Sequence, residues 1–237
     1  MEYSDINPLR YSPKIIKKRE NFKCEHGHNG MTHPACFNRE FGIQERIGAL
    51  DIEADNLDAD FGILLSWAIK TVGEDETWYD YVIAKDLDSG VYDGRIVAEL
   101  VSTMWKYDRL VTHYGNARRF DMPFIRARYL WLKARGLYDG PDFPERGMIW
   151  QSDTYTMARG LLKLSSNRQG NVADVIQAED IKTSINKDYW RAIKHGSKAS
   201  RRKAIEYIVD HNIKDCIQLE KNYLLLRPYA REARTSI

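Results

Sequence analysis

The sequence predicts an α/β fold, a mixed sheet with helices packed on it. Three observations lead there. Strand-like runs crowd together between residues 46 and 84 with short connections between them. From residue 93 the apolar spacing lengthens to that of a helix, and strand and helix patterns then alternate. The last third reads as helix, ending in one long helix over roughly 200–226.

The elements follow in order. Residues 46–54 form the first expected strand, 61–70 the second and Trp78–Ala84 the third. All three are rich in β-branched and aromatic residues, and their connections are short and carry acids or Gly. Connections that short imply an antiparallel meander. Residues 93–106 carry Ile96, Val97, Leu100, Val101 and Met104 at helical spacing. Arg109–His113 is a fourth strand, Asp121–Arg135 a helix with Phe124, Ile125, Tyr129 and Leu132 on its apolar side, and Met148–Gln151 a fifth strand. Asp153 is a natural cap for a helix over Thr154–Leu162. Three meandering strands followed by strand–helix–strand–helix give a mixed sheet with parallel, right-handed crossovers.

Length and composition set outer limits. The chain has 237 residues, 43% hydrophobic and 30% charged, with a net charge of +2. That describes an ordinary globular protein whose affinity for nucleic acid must come from local patches. Three cysteines do not suggest a disulfide scaffold, so a reducing, intracellular (cytoplasmic) setting is expected. No apolar run approaches the length of a membrane span, and no membrane partner is expected.

The division expected is an N-terminal arm, residues 1–45, and a catalytic-type domain, residues 46–237. The arm concentrates two of the three Cys and three of the six His into thirteen residues, Cys24 to Cys36. Cys24, His33 and Cys36, with His28 or His26, could form a tetrahedral N/S site for one structural Zn²⁺. The alternative is a His-rich loop that contacts phosphate or simply packs.

The chemistry centres on Asp51-Ile52-Glu53 in the first strand. Side chains at i and i+2 share a face, so Asp51 and Glu53 lie side by side while Leu50 and Ile52 face the other way. Burying two carboxylates requires something to neutralise them. Hard oxygen ligands suit Mg²⁺ or Mn²⁺; a solvated edge is the alternative. Two further acids stand at meaningful places. Asp121 opens a helix just beyond the end of the fourth strand, where sites assemble in open α/β sheets. Asp215 lies four residues after His211, on the same helix face.

The set D-I-E (51–53), N-A-R-R-F-D (116–121) and H-N-I-K-D-C (211–216) resembles the three exonuclease motifs of the DEDD superfamily, DnaQ-like 3′–5′ exonucleases with an RNase H-like fold. The resemblance spans roughly 46–226, and Asp153-Thr154-Tyr155 is similar to a segment that follows the fifth strand in that family. It implies a five-stranded mixed sheet, second strand antiparallel, flanked by helices. It also implies two Mg²⁺ or Mn²⁺ ions on Asp51, Glu53, Asp121 and Asp215, and hydrolysis of single-stranded DNA or RNA from the 3′ end to nucleoside 5′-monophosphates. His211 occupies the position of a family Tyr, four before the last Asp, with Asp210 at the place where another branch has its His. One helical step is about 100° of rotation, so His211 does not inherit that branch's role; it is the candidate to orient the attacking water or accept its proton.

Expected nucleic-acid contacts are Asn116 in the second motif and Tyr189, Trp190, Arg191, Lys194, Arg201 and Arg202 in the basic, aromatic stretch before the last helix, since aromatic faces stack on unpaired bases. Leu57 and Phe61 are candidates to wedge against a terminal base, with Phe61 read more readily as core. Two other functions fit the same residues: a structure-selective endonuclease using the same acids, and a binding module that keeps the fold without turnover.

Overall fold

The computed structural model describes residues 13–31, 34–115, 120–176, 187–230 and 235–237. Its strands are β1 (Ile47–Ala54), β2 (Leu64–Thr71), β3 (Thr77–Tyr81), β4 (Arg109–Thr112), β5 (Trp150–Asp153) and β6 (Thr235–Ser236). Its helices are α1 (Pro13–Asn21), α2 (Pro34–Glu40), α3 (Ala84–Asp88), α4 (Gly94–Met104), α5 (Asp121–Ala134), α6 (Thr154–Leu161), α7 (Gln169–Val175), α8 (Lys187–His195) and α9 (Lys198–Leu226). One mixed sheet runs in the order β3-β2-β1-β4-β5-β6. β2 is antiparallel to β1 and β3, while β4 is parallel to β1 and β5.

Residue parity on β1 decides what each sheet face meets. Leu50 and Ile52 are buried in the main core with Ile96, Val97 and Leu100 of α4 and Ile125 and Leu132 of α5. Ile47 and Ala49 point the other way, into a cluster with Val111, Leu219 and Tyr223, the last two on α9. Asp51 and Glu53 continue that second row, so the acids of β1 turn toward α9. β2 is buried along its whole length, which its apolar run Leu64-Leu65-Ser66-Trp67-Ala68-Ile69 requires of a strand covered on both sides.

The structure departs from the sequence expectations at four places. The third strand, expected over Trp78–Ala84, stops at Tyr81, and Ala84 opens the short helix α3. The second strand begins at Leu64 rather than 61, because residues 55–63 close into a tight loop. Asp55 Oδ1 accepts from Ile63 N at 2.7 Å and Asp58 O accepts from Gly62 N at 2.8 Å. A Cβ on Gly62 would meet Asn56 Cβ at 2.9 Å, so this closure needs glycine. Phe61 therefore stands out on the loop, 76% exposed, and is not core. The fifth strand is shifted to Trp150–Asp153, so Asp153 both ends β5 and caps α6 by accepting from Thr156 N. A sixth strand, β6, pairs antiparallel with β5 and buries Ile237 behind it; two residues are too short to leave a periodic signal.

A buried ion pair fixes the 55–63 loop. Arg128 of α5 grips Asp93 with Nη2–Oδ1 at 2.7 Å and Nε–Oδ2 at 2.8 Å, and its Nη1 donates to Ala59 O. Asp93 Oδ2 also accepts from Leu64 N at 2.9 Å. Among the described residues no helix is long and apolar enough to cross a membrane.

Candidate metal centre

The four acids come from three separate parts of the chain and meet at the C-terminal ends of β1 and β4. Asp51 and Glu53 stand half-buried on β1, Asp121 opens α5, and Asp215 lies midway along α9. Asp121 and Asp215 are 4% and 5% exposed. Ligand atoms of Glu53, His211 and Asp215 all lie within 4.8 Å of one another. Asp51 is close enough to the rest to feel them: burial, then the charges of Asp215, Asp121 and Glu53, hold its carboxyl well above the usual carboxylate range. Burial pushes Asp121 up to about 7, with the Asp153 charge adding to it, against backbone hydrogen bonds of Asp121 and Ile52. This mutual repulsion of buried carboxylates is relieved by a bound cation, and oxygen donors of this kind fit Mg²⁺ or Mn²⁺.

His211 is 2% exposed, with Nε2 3.8 Å from both Glu53 Oε1 and Asp215 Oδ2. Those distances are beyond direct hydrogen bonding but within ion-pair reach. Its ring lies parallel to Tyr207, 6° between planes at 6.2 Å, and meets the edge of Trp190 at 6.3 Å. The imidazole is thus held between an aromatic wall and the acids.

A second layer of polar groups sets the acids in place, and sequence reasoning gave these residues no role. Asn212 Nδ2 donates to Asp51 Oδ2 at 2.7 Å, and Ser66 Oγ donates to Asn212 Oδ1 at 3.1 Å. Asn212 is fully buried. Its signal was available: it falls in i+4 register between Ile208 and Cys216, a polar residue on an apolar stripe. Gln169 Nε2 donates to Asp215 O at 2.8 Å, tying α7 to the turn of α9 that carries the acid.

Gly115 is a further residue that sequence reasoning gave no role. Its N donates to Asp153 Oδ2 at 3.1 Å and its O accepts from Gln151 Nε2 at 2.9 Å. A Cβ there would sit 2.0 Å from Asp121 Oδ2, so only glycine lets the Asp121 carboxylate lie over the end of β4. Before it, Tyr114 takes a left-handed φ of 65°, a conformation a bulky residue adopts only when its surroundings impose it.

The remaining sequence-predicted residues fall as follows. Leu57 is 80% exposed, beside Phe61 on the loop that follows β1. Tyr189 and Trp190 are half-buried on α8: Tyr189 stacks on Tyr207 at 4.2 Å and Trp190 meets it edge-on at 6.3 Å. They build the wall behind His211 and do not stand free. Arg191 and Arg202 are exposed, Arg201 is half-buried, and Arg202 pairs with Glu206 at 2.9 Å. Asn116 and His33 lie outside the described residues, as does the side chain of Lys194.

In the arm, Cys24, His26 and Cys36 converge, and His28 Nδ1 lies 3.9 Å from Cys24 Sγ. Burial works to raise the Cys24 thiol, but hydrogen bonds from His28 and His26 outweigh it and bring it down to about 6. Cys36 is raised, by burial first and then by Cys24. No family model matches the chain, and no curated protein matches it.

Proposed function

We propose that this chain is a metal-dependent 3′–5′ exonuclease of RNase H-like fold, acting on single-stranded DNA or RNA and releasing nucleoside 5′-monophosphates. The observation that carries the reading is the convergence of Asp51, Glu53, Asp121 and Asp215, from β1, the start of α5 and the middle of α9, into one electrostatically coupled cluster. The strand order, with only β2 antiparallel among the first five strands, supports the same reading. So does the motif resemblance.

Asp51, Glu53, Asp121 and Asp215 would hold two Mg²⁺ or Mn²⁺ ions. When bound, such a pair stabilises the attacking and leaving oxygens of an in-line displacement at phosphorus. The chain's own groups do the rest. Asn212 and Gly115 hold the carboxylates in register, which makes the site pre-organised rather than assembled on demand. Neutral His211 accepts a proton from the attacking water, an effect typically worth ~10²–10⁴-fold. Leu57 and Phe61, exposed on the loop that follows the Asp51–Glu53 strand, would offer apolar surface for the terminal base to rest on.

One observation favours a second reading. A protonated His211, 3.8 Å from both Glu53 and Asp215, would itself set one positive charge against the acids, as suits an ion-free binding module. The test is digestion of 5′-labelled single-stranded DNA and RNA with Mg²⁺, Mn²⁺ or EDTA, beside Asp215→Asn. The exonuclease gives a ladder shortening by single nucleotides from the 3′ end, absent with EDTA and in the variant. A cut at internal positions would indicate an endonuclease. No cleavage of either strand with both metals, together with no Mn²⁺ binding, would leave the module.

A further inference from the structure

We propose that the N-terminal arm carries a closed, four-coordinate zinc site made by Cys24, His26, His28 and Cys36, a structural staple independent of the carboxylate centre.

The geometry is that of a metal knuckle before the metal. Lys23 and Asn29 form an antiparallel bridge, Cys24 N donates to His28 O at 2.9 Å, and Gly27 N donates to Cys24 O at 2.8 Å. Gly27 turns the chain with a φ of 81°. This tight turn holds His26 and His28 beside Cys24, and the first turn of α2 brings Cys36 in, so that ligand atoms of Cys24, His26 and Cys36 all lie within 4.8 Å of one another while His28 stands against Cys24 alone. His26 Nδ1 lies 3.8 Å from Cys24 Sγ and 3.9 Å from Cys36 Sγ, and His28 Nδ1 lies 3.9 Å from Cys24 Sγ. With Zn–S of about 2.3 Å and Zn–N of about 2.0–2.1 Å, the S···N edges of a tetrahedral site are about 3.5–3.6 Å. The three S···N separations exceed that edge by a few tenths of an ångström, so a bound ion would draw the ligands together and bring His28 in from the Cys24 side. Soft S and N donors select zinc here, while the oxygen donors of the other centre select Mg²⁺ or Mn²⁺.

The arm also needs a staple. Among its described residues the aromatic packing consists of Phe22, Phe37 and Phe41, with ring centroids 4.6–5.7 Å apart. Segments of this size rarely stay folded on a core alone and are held by disulfides or metals. All three described cysteines are free thiols. Within the arm Arg19 donates to Asn38 Oδ1 at 3.0 Å. The arm meets the rest of the chain at Arg19, 3.9 Å from Asp108 Oδ1 just before β4, and at Glu45, whose carboxylate accepts from Arg109 Nε at 2.9 Å. That is the opposite end of the strands from the four acids, so zinc here takes no part in hydrolysis.

The test is metal analysis of the full chain, purified under reducing conditions without chelator. One zinc per chain is expected, falling to none in Cys24→Ser and in Cys36→Ser, and staying at one in Asp51→Asn and Asp215→Asn. Those two acid variants separate this site from the carboxylate centre, whose failure or success leaves the zinc count unchanged. Should the cysteine variants not fold, the wild type decides. Titration with a mercurial thiol reagent should release the zinc in step with two thiols, and cobalt in its place should give a thiolate charge-transfer band. His28→Ala should weaken zinc retention while His33→Ala does not; the reverse would overturn the ligand set. No zinc with both thiols free, or a Cys24–Cys36 disulfide in freshly reduced protein, would overturn the site itself.

Discussion

The molecule holds two clusters of ligand-type side chains, and they are built in opposite ways. The carboxylate centre draws residues from 51 to 215 and mounts each one on a core element: β1, the first turn of α5, and α9. Hydrogen bonds from Asn212, Ser66 and the Gly115 turn lock its geometry from behind. The Cys/His cluster draws from residues 24 to 36 and mounts on a turn and a seven-residue helix over a three-ring core. The first is a site the fold has already paid for in repulsion between buried acids. The second, on the zinc proposal, is a fold that depends on its site. A metal should therefore relieve strain in one cluster and create order in the other.

The largest consequence concerns charge at the acid centre. Asp51 and Asp121 hold protons more tightly in the folded chain than in the unfolded one, so the folded state binds more protons and stability falls as pH rises. The window opens near the unfolded value of about 3.9 and extends to about 7 for Asp121. Thermal melts in buffer without added divalent ions should show the melting temperature declining through that window, with Mg²⁺ restoring it most at the upper end. Asp51→Asn should flatten the decline and raise the melting temperature near neutral pH. The same change should cut hydrolysis by about 10²–10³-fold or more, the scale of losing one pre-organised electrostatic group. Ion-free melts that rise with pH across this window would break the claim that the acids repel one another.

The second prediction sets a core ion pair against the arm's. Arg128 and Asp93 are nearly inaccessible, and removing one partner of a buried pair costs about 3–5 kcal/mol. Arg128→Ala should lower the unfolding free energy read from urea titration by that amount. It should also free the 55–63 loop, because the Arg128 Nη1 bond to Ala59 O goes with it. Arg19→Ala removes a bond to Asn38 and a longer contact to Asp108, and should cost about 1–3 kcal/mol. Equal losses would mean the arm is as integral to the fold as α5.

The sequence made some of this legible and hid the rest for physical reasons. Alternation on β1 placed Asp51 and Glu53 on one face, and i+4 spacing placed His211 with Asp215, since both periods follow from backbone geometry alone. Asp153 was readable as a cap because capping is a local act. Asn212 and Gly115 went unassigned because their partners lie 161 residues away in one case and, in the other, in a crowding that only the folded chain creates. Tyr189 and Trp190 were read as free base-stacking faces from composition, yet α8 lays them on Tyr207. Phe61 went the opposite way: an apolar run argued for burial, and the closed loop before β2 turned it outward.

Glycines sharpen the comparison at a smaller scale. Gly115→Ala would place a Cβ against the Asp121 carboxylate, and the acid must shift. Misplacing a catalytic group by about 1 Å costs on the order of 10²-fold in rate, so kcat should drop by about that factor with the fold intact. Gly27→Ala, in the Cys/His turn, meets nothing within 4 Å; only its positive φ resists, at about 1–2 kcal/mol. The acid-centre glycine should thus be a rate variant and the arm glycine a stability variant. Paired kinetics and melts on the two proteins check this, and a Gly115→Ala protein with full kcat would sink the steric argument.

The smallest effects belong to Leu57 and Phe61, which face solvent on the loop that leads away from Asp51 and Glu53. Exposed as they are, Leu57→Ala and Phe61→Ala should leave stability within about 0.5 kcal/mol of the parent. On the proposed function their contribution would lie in binding. A base resting on Phe61 gains ~1 kcal/mol at the low end for aromatic stacking, so its loss should weaken single-strand affinity about fivefold. The effect should fall on KM for single-stranded substrate and leave kcat unchanged, because neither side chain touches the four acids. If both variants bind single strands as the parent does, the loop presents its apolar pair to something other than a nucleic-acid end, and the strand must approach the acids from the α8 side.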